Sequence, residues 1–322
     1  MLAILCPGQG SQTPGFLTPW LDLPGVREHL EALSDAAGVD LVRHGTVSDE
    51  DTIRDTAVAQ PLIVAAGLVA ARALLGDTSL TSATVVAGHS VGELTASAVA
   101  GALSERDAVT LVRTRASAMA TAAAVTPTGM SAVLGGDPEE VAATLERLGL
   151  TAANANGGGQ IVAAGTLEQL AELAADPPAK ARVIPLKVAG AFHTEHMASA
   201  VEALEALRPS LSPAEPLATL LSNYDGEPVA SGETNLDSLI AQVSRPVRWD
   251  LCMQRLLDMG VSGVLELPPA GTLTGLAKRG MRGTASLAVK APEDLAAARE
   301  FMEEHSRTAP PADAPIAAKG TA

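Results

Sequence analysis

Residues 83–100 read ATVVAGHSVGELTASAVA and contain three structural signals in immediate succession. The first five residues are rich in β-branched side chains and predict a short buried strand. A turn from Gly88 to Gly92 follows directly, and the small side chains from about 93 to 100 predict a helix. A strand that turns sharply into a helix is typical of an α/β protein with a parallel sheet.

Elements on either side of this unit extend the pattern. The apolar run 2–6 ends at Pro7 and Gly8, which predicts a buried strand opening into a glycine-rich loop. A helix with apolar spacing covers about 105–124 and ends before Pro127. The other predicted elements are strands near 217–222 and 262–267 and helices near 60–75, 193–207 and 249–259.

The order of elements changes between Gly129 and Lys187. This stretch predicts the order βαββαβ, which indicates a separate ferredoxin-like subdomain. Its elements fall near 130–134, 138–147, 150–155, 160–164, 166–175 and 182–187. We therefore predict a discontinuous domain of residues 1–125 and 192–305 that contains the parallel sheet, with residues 126–191 as an insert. The tail 306–322 contains Pro and Ala without an apolar period, so we expect it to be disordered.

Composition excludes several classes of function. Of the 322 residues, 47% are hydrophobic but only 2% are aromatic, so the core must be built from Ala, Val and Leu. The formal net charge of −15, from 22 basic and 37 acidic residues, argues against nucleic acid and anionic membranes as partners. No secretory signal and no apolar run of about 18 residues occurs, so we expect a cytoplasmic protein without a membrane span. Cys6 and Cys252 are too few for a disulfide framework and lack the spacing of a zinc site.

Ser90 is the candidate nucleophile. The segment Gly88-His89-Ser90-Val91-Gly92 matches the pattern G-x-S-x-G, in which a serine lies at a tight turn between a strand and a helix. At a helix N-terminus the dipole and the free N–H groups favour an oxyanion. In a chain with 29 glycines the pattern alone is a weak signal, so an ordinary turn serine is the alternative.

His193 is the candidate general base. His89 is adjacent to Ser90, but neighbouring side chains at such a turn diverge, so we expect a structural role for it. Of the other histidines only His193 lies in an apolar segment, GAFH, at a loop that leads into a helix. His193 and His196 have the spacing of metal ligands on a helix, but no H-E-x-x-H motif and no nearby Cys supports this, and we predict no metal.

Arg115 falls on the apolar stripe of the helix near 108–122, whereas Arg113 lies about 200° around the helix and faces solvent. A buried guanidinium is costly unless it is paired. Two interpretations stay open. Arg115 forms a structural ion pair with an internal Asp or Glu, or it binds a carboxylate of the substrate in a bidentate manner.

The loop of residues 7–12, PGQGSQ, follows the first strand where a phosphate-binding loop often lies. Position 13 is Thr rather than the last Gly of G-x-G-x-x-G, and the first lysine of the chain is Lys180, so neither a dinucleotide nor a Walker motif fits. The remaining role is close approach of the backbone to an acyl oxygen. The N–H groups of Gln9 and Val91 are therefore the candidate oxyanion donors.

Five segments together carry a resemblance to a known family. PGQGSQ, GHSVGE, LVRTRA, GAFHTEHM and RPVRW occur in this order, and the chain resembles the malonyl-CoA:acyl carrier protein transacylases of fatty acid and polyketide synthesis over roughly residues 1–300. The resemblance implies an α/β-hydrolase-like domain with an inserted ferredoxin-like subdomain. This agrees with the order of elements read from the sequence.

The resemblance also implies roles for individual residues. Ser90 attacks the malonyl thioester, His193 takes its proton, and the backbone carbonyl of Gln242 orients His193. Gln9 and Val91 supply oxyanion donors, and Arg115 binds the malonyl carboxylate. In the same way Phe192 matches the bulky residue of malonyl-selective members. The turn from Asn154 to Gln160 resembles a turn of the family that places Asn154 and Asn156 near the acyl pocket. It departs from the pattern at Gly158, where some members have proline.

The implied partners are malonyl-CoA and an acyl carrier protein, with no resident cofactor, and we expect a monomer. Because carrier proteins are acidic, basic surface groups are the candidate docking residues, although a solvated helix face is the alternative for each. The available clusters are Lys180, Arg182 and Lys187, or Lys278, Arg279 and Arg282. A serine thioesterase or esterase, and a catalytically silent carrier-protein scaffold, are the competing hypotheses.

Overall fold

The computed structural model describes residues 1–76, 80 and 83–306. Its ten strands form two sheets of five strands each. The strands are β1 Leu2–Cys6, β2 Thr84–Gly88, β3 Thr128–Gly135, β4 Thr151–Gly157, β5 Gln160–Thr166, β6 Ala181–Pro185, β7 Thr219–Leu221, β8 Val247–Arg248, β9 Gly263–Glu266 and β10 Ala285–Ala288.

Thirteen α-helices occur in the described part of the chain, together with short 3₁₀ turns. The helices are α1 Val26–Ala37, α2 Leu41–Thr46, α3 Glu50–Arg54, α4 Thr56–Leu75, α5 Gly92–Val99, α6 Glu105–Ala123, α7 Pro138–Arg147, α8 Leu167–Ala175, α9 Ala198–Leu207, α10 Gly232–Ala241, α11 Trp249–Asp258, α12 Thr272–Gly280 and α13 Leu295–Ser306. Ser306, assigned to the tail by the sequence, is the last residue of α13, because this helix continues to that point. The rest of the predicted tail lies outside the described residues.

The first sheet is parallel throughout and has the order β10-β9-β1-β2-β7. The central strand β1 is wholly buried, and its alternate residues belong to two different cores. Ile4 packs toward the core that contains α4 and α6, while Leu5 packs toward the core that contains α11 and α12. Helices therefore cover both faces, as a parallel sheet of apolar strands requires.

The second sheet has the order β6-β3-β5-β4-β8. Its first four strands are antiparallel and come from the predicted βαββαβ segment. The fifth, β8, comes from much later in the chain and pairs parallel with β4 through Asn154 and Val247. The predicted α/β fold, with a parallel sheet and a second sheet of ferredoxin-like order, is confirmed. The insert's sheet is nevertheless completed by two residues from outside the insert, which the sequence did not indicate.

Helix α4 begins at Thr56 rather than near 60, because the side chain of Asp55 accepts a hydrogen bond from the N–H of Ala57 and starts the helix earlier. Within the described residues it is the one helix long and apolar enough to cross a membrane. Its apolar window is 78% buried inside the protein, which is the environment of a core helix.

Candidate active site

Ser90 lies in a strained turn between β2 and α5. Its backbone φ of 53° places it in the left-handed region, which a residue with a side chain seldom adopts. The turn is closed so tightly that a Cβ at Gly92 would overlap the carbonyl oxygen of Cys6. A Cβ at Gly88 would overlap the N atom of Glu93 in the same way. Gly92 is thus required by the close approach of β1 and α5, and Gly88 by the tightness of the turn itself.

His193 is in hydrogen-bonding distance of Ser90. Ser90 Oγ and His193 Nε2 are 2.7 Å apart, and His193 Nδ1 is 2.9 Å from the backbone oxygen of Gln242. Because a carbonyl oxygen only accepts, Nδ1 carries the proton and Nε2 is left free to accept one. Burial, and secondarily the Arg115 guanidinium, lowers the pKa of His193 to about 3. The imidazole is therefore neutral at physiological pH, as a general base must be.

Arg115 reaches the same point from α6. Its side chain is buried, with 2% of the residue exposed, and Nη2 donates to Ser90 Oγ at 3.3 Å and to Gln242 Oε1 at 2.7 Å. Nη1 donates to Gln60 Oε1. Burial lowers the pKa of Arg115 to about 10, while the charge of Glu93 opposes this, so the guanidinium stays charged. Among the described residues no carboxylate lies within 4 Å of it, and the predicted alternative of a direct internal ion pair is not realised.

These groups line a cavity of about 480 Å³ at the carboxyl ends of β1 and β2. Six apolar side chains contribute to its lining, namely Met119, Met130, Val162, Leu186, Val188 and Phe192. The other predicted site residues that line it are Gln9, Val91, Asn154 and Asn156. A second cavity of about 610 Å³ between α1, α4 and α13 lacks a serine or cysteine beside its histidine, His29.

The candidate oxyanion donors lie on the two loops that meet at the nucleophile. Cys6 and Gly88 are register partners, so the loop after β1 and the turn after β2 are adjacent. The backbone N–H groups of Gln9 and Val91 donate to no backbone acceptor within the described ranges, and both residues line the cavity. Two free N–H groups beside a nucleophile are the arrangement that an oxyanion requires.

His89 contacts Asn156 and Trp249. Its Nε2 lies 2.9 Å from Asn156 Oδ1, and its ring packs edge-on against Trp249 at 5.6 Å. It therefore ties the turn to β4 of the second sheet. In the described residues no group of three or more His, Cys, Asp or Glu side chains is arranged to hold a metal ion.

Comparison with known proteins identifies the family. Residues 4–307 match the acyl transferase domain family. The chain is 55% identical over 296 residues to the malonyl CoA-acyl carrier protein transacylase of Mycobacterium tuberculosis, covering 92% of this chain and 98% of that protein. The chain belongs to the malonyl CoA-acyl carrier protein transacylases. The family assignment made from the five sequence segments is thereby confirmed.

More distant transacylases give the same result. The Escherichia coli K12 transacylase is 30% identical over 306 residues, covering 93% of this chain and 99% of that protein. The crystal structure of the M. tuberculosis transacylase superposes with a TM-score of 0.89 at 53% identity, covering 93% and 99% of the two chains. A malonyl-transacylase solved in complex with its type II PKS acyl-carrier protein gives a TM-score of 0.87 at 29% identity, covering 93% and 99%.

Sequence reasoning missed three buried groups of this transacylase site. Gln60 and the side chain of Gln242 hold the guanidinium of Arg115, and the carboxylate of Glu93 accepts a hydrogen bond from Gln242 Nε2. Glu93 belongs to the quoted segment GHSVGE, so its position was visible but its role was not. Gln60 lies near the start of α4, where no motif marks it.

Proposed function

We propose that the chain transfers a malonyl group from malonyl-CoA to the pantetheine thiol of an acyl carrier protein through a malonyl ester on Ser90. One observation carries this proposal. Ser90 Oγ lies within hydrogen-bonding distance of a neutral imidazole, His193, and of a buried guanidinium, Arg115, in a single cavity. The first partner activates a hydroxyl for acyl transfer, and the second selects an acyl group that ends in a carboxylate.

In the first half-reaction Ser90 Oγ attacks the thioester carbonyl carbon while His193 Nε2 takes the hydroxyl proton. Negative charge develops on the carbonyl oxygen, where the N–H groups of Gln9 and Val91 stabilise it. The tetrahedral intermediate collapses with cleavage of the carbon–sulfur bond, and His193 returns the proton to the sulfur of coenzyme A. The backbone oxygen of Gln242 accepts from Nδ1–H throughout and stabilises the imidazolium that forms.

In the second half-reaction the carrier's pantetheine thiol takes the place of coenzyme A. His193 accepts the thiol proton, the sulfur attacks the ester carbonyl, and the proton passes to Ser90 Oγ as the ester bond breaks. The two halves use the same groups in reverse order. A ping-pong sequence follows, with no resident cofactor required.

The short distance between Arg115 and Ser90 suits an acyl group that has its carboxylate close to the thioester, as malonyl does. In a malonyl group the carboxylate carbon is only two bonds from the thioester carbonyl carbon, so its cation must lie beside the nucleophile. Arg115 Nη2 is 3.3 Å from Ser90 Oγ. A guanidinium has five N–H donors, and the described protein acceptors of Arg115 number three, so donors remain for a carboxylate.

The apolar wall sets the second limit on the substrate. Phe192 is buried beside His193 and lines the cavity, and we propose that its ring limits the space for an α-methyl branch. Because one methylene is worth about 1–3 kcal/mol, we expect a finite preference for malonyl over methylmalonyl.

The carrier's docking surface is proposed at the basic cluster Lys278, Arg279 and Arg282. All three residues lie on or just after α12, and Arg279 lines the cavity and donates to Gln160 Oε1 at 3.1 Å. An acidic carrier bound here would direct its pantetheine arm toward Ser90. We further propose a cytoplasmic monomer that serves fatty acid or polyketide synthesis, and retain the domain division at residues 126–191.

The test compares transfer with hydrolysis. The purified chain is labelled with malonyl-CoA, freed of excess substrate, and chased with either buffer or holo carrier protein. We expect rapid transfer to the carrier and slow release of free malonate in buffer. Rapid hydrolysis without transfer would assign the site to a thioesterase, and absence of any label would support a silent scaffold.

A further inference from the structure

Glu93 is a buried acid that the mechanism above does not use. It is the second residue of α5, has 4% of its surface exposed, and forms no ion pair with a described residue. Its carboxylate accepts hydrogen bonds from the backbone N–H of Asn223 and from Gln242 Nε2. A charged group in such a place is costly, which calls for a compensating role.

The amide of Gln242 connects Glu93 to Arg115. Its Nε2 donates to Glu93 and to the backbone oxygen of Ser90 at 2.9 Å, while its Oε1 accepts from Arg115 at 2.7 Å. A carboxylate only accepts and a guanidinium only donates, so the two ends of the amide are fixed in this orientation. Reversal of the amide would direct its NH₂ group at the guanidinium.

We propose that Glu93 is a positioning residue, whose carboxylate fixes the side chain of Gln242 and thereby holds Arg115 in place for the substrate's carboxylate. This inference rests on the proposed function. It differs from the general-base and oxyanion roles because it acts on selection of the acyl group, through one intervening side chain. The ionised form of Glu93 is the active form, since it also balances the charge of Arg115 across the amide.

The surroundings of Glu93 make this device sensitive to pH. Burial raises the pKa of Glu93 to about 7, and the negative charge of Asp225 adds to this effect, whereas its two hydrogen bonds and the charge of Arg115 oppose it. The charged or titratable groups that face it in the described structure are Arg115 from α6, Tyr224 and Asp225 after β7, Arg245 after α10 and the Cys252 thiol from α11. Burial raises the pKa of Cys252 well above its usual value, so that thiol stays neutral.

Glu93 lines a small cavity that is separate from the one containing Ser90. This second cavity has a volume of about 10 Å³ and is also bordered by Ser222, Tyr224 and Arg245. This is about the volume that one water molecule needs. We therefore expect the malonyl kcat/KM of the wild type to fall as pH decreases through about 7, which gives the pH profile an acid limb. His193 does not produce this limb, because its pKa is near 3.

The experiment measures kcat/KM for malonyl-CoA and for acetyl-CoA, which has no carboxylate, from about pH 5.5 to 9 in the wild type and in Glu93→Gln. The carboxylate of Glu93 accepts from two donors, the N–H of Asn223 and Nε2 of Gln242. The amide of a glutamine has only one oxygen and turns its NH₂ group toward one of these donors, so one hydrogen bond is lost. We expect malonyl kcat/KM at about pH 8 to fall about tenfold or more, acetyl kcat/KM to change less than about threefold, and the limb near pH 7 to disappear. Any titration of the substrate itself persists in the variant and is subtracted.

Ser97→Ala is the matched control. Ser97 lies one helical turn along α5, donates to the backbone oxygen of Glu93 at 2.6 Å and exchanges hydrogen bonds with Asn235 of α10. It thus joins α5 to the helix that precedes Gln242 without contacting the Glu93 carboxylate or the Gln242 side chain. We expect it to change neither substrate's kcat/KM by more than about twofold.

Equal loss of malonyl and acetyl activity in Glu93→Gln would reduce Glu93 to a structural role. A flat wild-type profile between about pH 5.5 and 8 would overturn the pH sensitivity, and a folded Glu93→Gln variant that kept full malonyl kcat/KM would overturn the positioning role. A wild type without malonyl transfer would instead reject the proposed function.

Discussion

Arg115 is a buried cation whose direct partners are neutral oxygens. Gln60 and Gln242 orient the guanidinium but supply no charge, and Glu93 lies one side chain further away. Such a cation binds an added carboxylate more strongly than one already paired, because less attraction has been used within the protein. We therefore propose that this residue selects which acyl group the site accepts.

Substitution of Arg115 tests that selection. We expect Arg115→Ala to lower kcat/KM for malonyl-CoA about 100-fold, since a charge-assisted hydrogen bond pair is worth about 3 kcal/mol, and to change acetyl-CoA turnover little. Steady-state kinetics with both substrates measures the ratio. The control is Arg113→Ala, an exposed arginine on the same helix, which should leave both rates unchanged. Equal losses for the two acyl groups in Arg115→Ala would contradict a carboxylate-binding role.

The lowered pKa of His193 leads to a second prediction, which concerns the free energy of unfolding. Its pKa is about 3 in the folded protein against 6.5 in the unfolded chain, so its contribution is fully present above pH 6.5. As pH falls below that value the unfolded chain takes up a proton that the folded protein does not, and stability declines. The wild type should lose stability more steeply than His193→Ala, by up to about 1.4 kcal/mol per pH unit. Denaturant unfolding between about pH 6.5 and 4.5 measures the two slopes, and parallel slopes would show that His193 is not buried as described.

At the scale of elements, the strand-turn-helix of β2 and α5 fixes the position of Ser90. Gly92 approaches the carbonyl oxygen of Cys6 so closely that no side chain fits between β1 and α5. The same contact holds the loop after β1, with Gln9, next to Ser90. The glycines of the motif thus align two loops as well as permitting a turn.

Gly92→Ala should therefore destabilise the protein by about 3 kcal/mol or more, because backbone atoms must move to admit the methyl group. The comparison is Gly275→Ala in α12, where an added Cβ meets no atom within 4 Å and should stabilise the helix by about 0.5–1 kcal/mol. Urea unfolding of the two variants gives both values. A neutral Gly92→Ala would mean that the loop after β1 is not held against the turn.

The sequence predicted several of the elements that have strong local signals. Helix α6 has an N-cap at Ser104 and breakers after Val125, and it was placed within about one residue. Strands β8 and β10 were missed because they are only two and four residues long. They are recognisable as strands only through their pairing with neighbouring strands in the sheets. Helix α10 was also missed, as were α1, α2, α3, α12 and α13, for which the sequence analysis predicted no element.

At the scale of the whole molecule, the site is assembled from segments far apart in the chain. Ser90 and His193 are 103 positions apart, and Gln242 lies 152 positions after Ser90. Residue type suggested Ser90, His193 and Arg115, but the contact between His193 and a backbone oxygen leaves no trace in residue type. Gln242 was therefore reached through family resemblance alone. The link from Glu93 to Arg115 could not be predicted, because it depends on how three buried side chains are oriented.

The charge distribution of the whole chain bears on carrier binding. With a net charge of −15, an acidic carrier protein is repelled except at local basic groups. We expect Lys278→Glu to raise KM for the carrier about tenfold with little change in KM for malonyl-CoA, and the effect to weaken in high salt. The charge-matched control is Arg106→Glu, which lies near the start of α6 and does not line the cavity. If the control had the same effect, docking would depend on overall charge and not on this cluster.

The most direct measurement is the intact mass of the chain after brief exposure to malonyl-CoA. We expect a gain of one malonyl group in the wild type, located at Ser90 by peptide mapping and removed by holo carrier protein, and no gain in Ser90→Ala. A wild type that gains no mass, or a Ser90→Ala variant that still does, would contradict it.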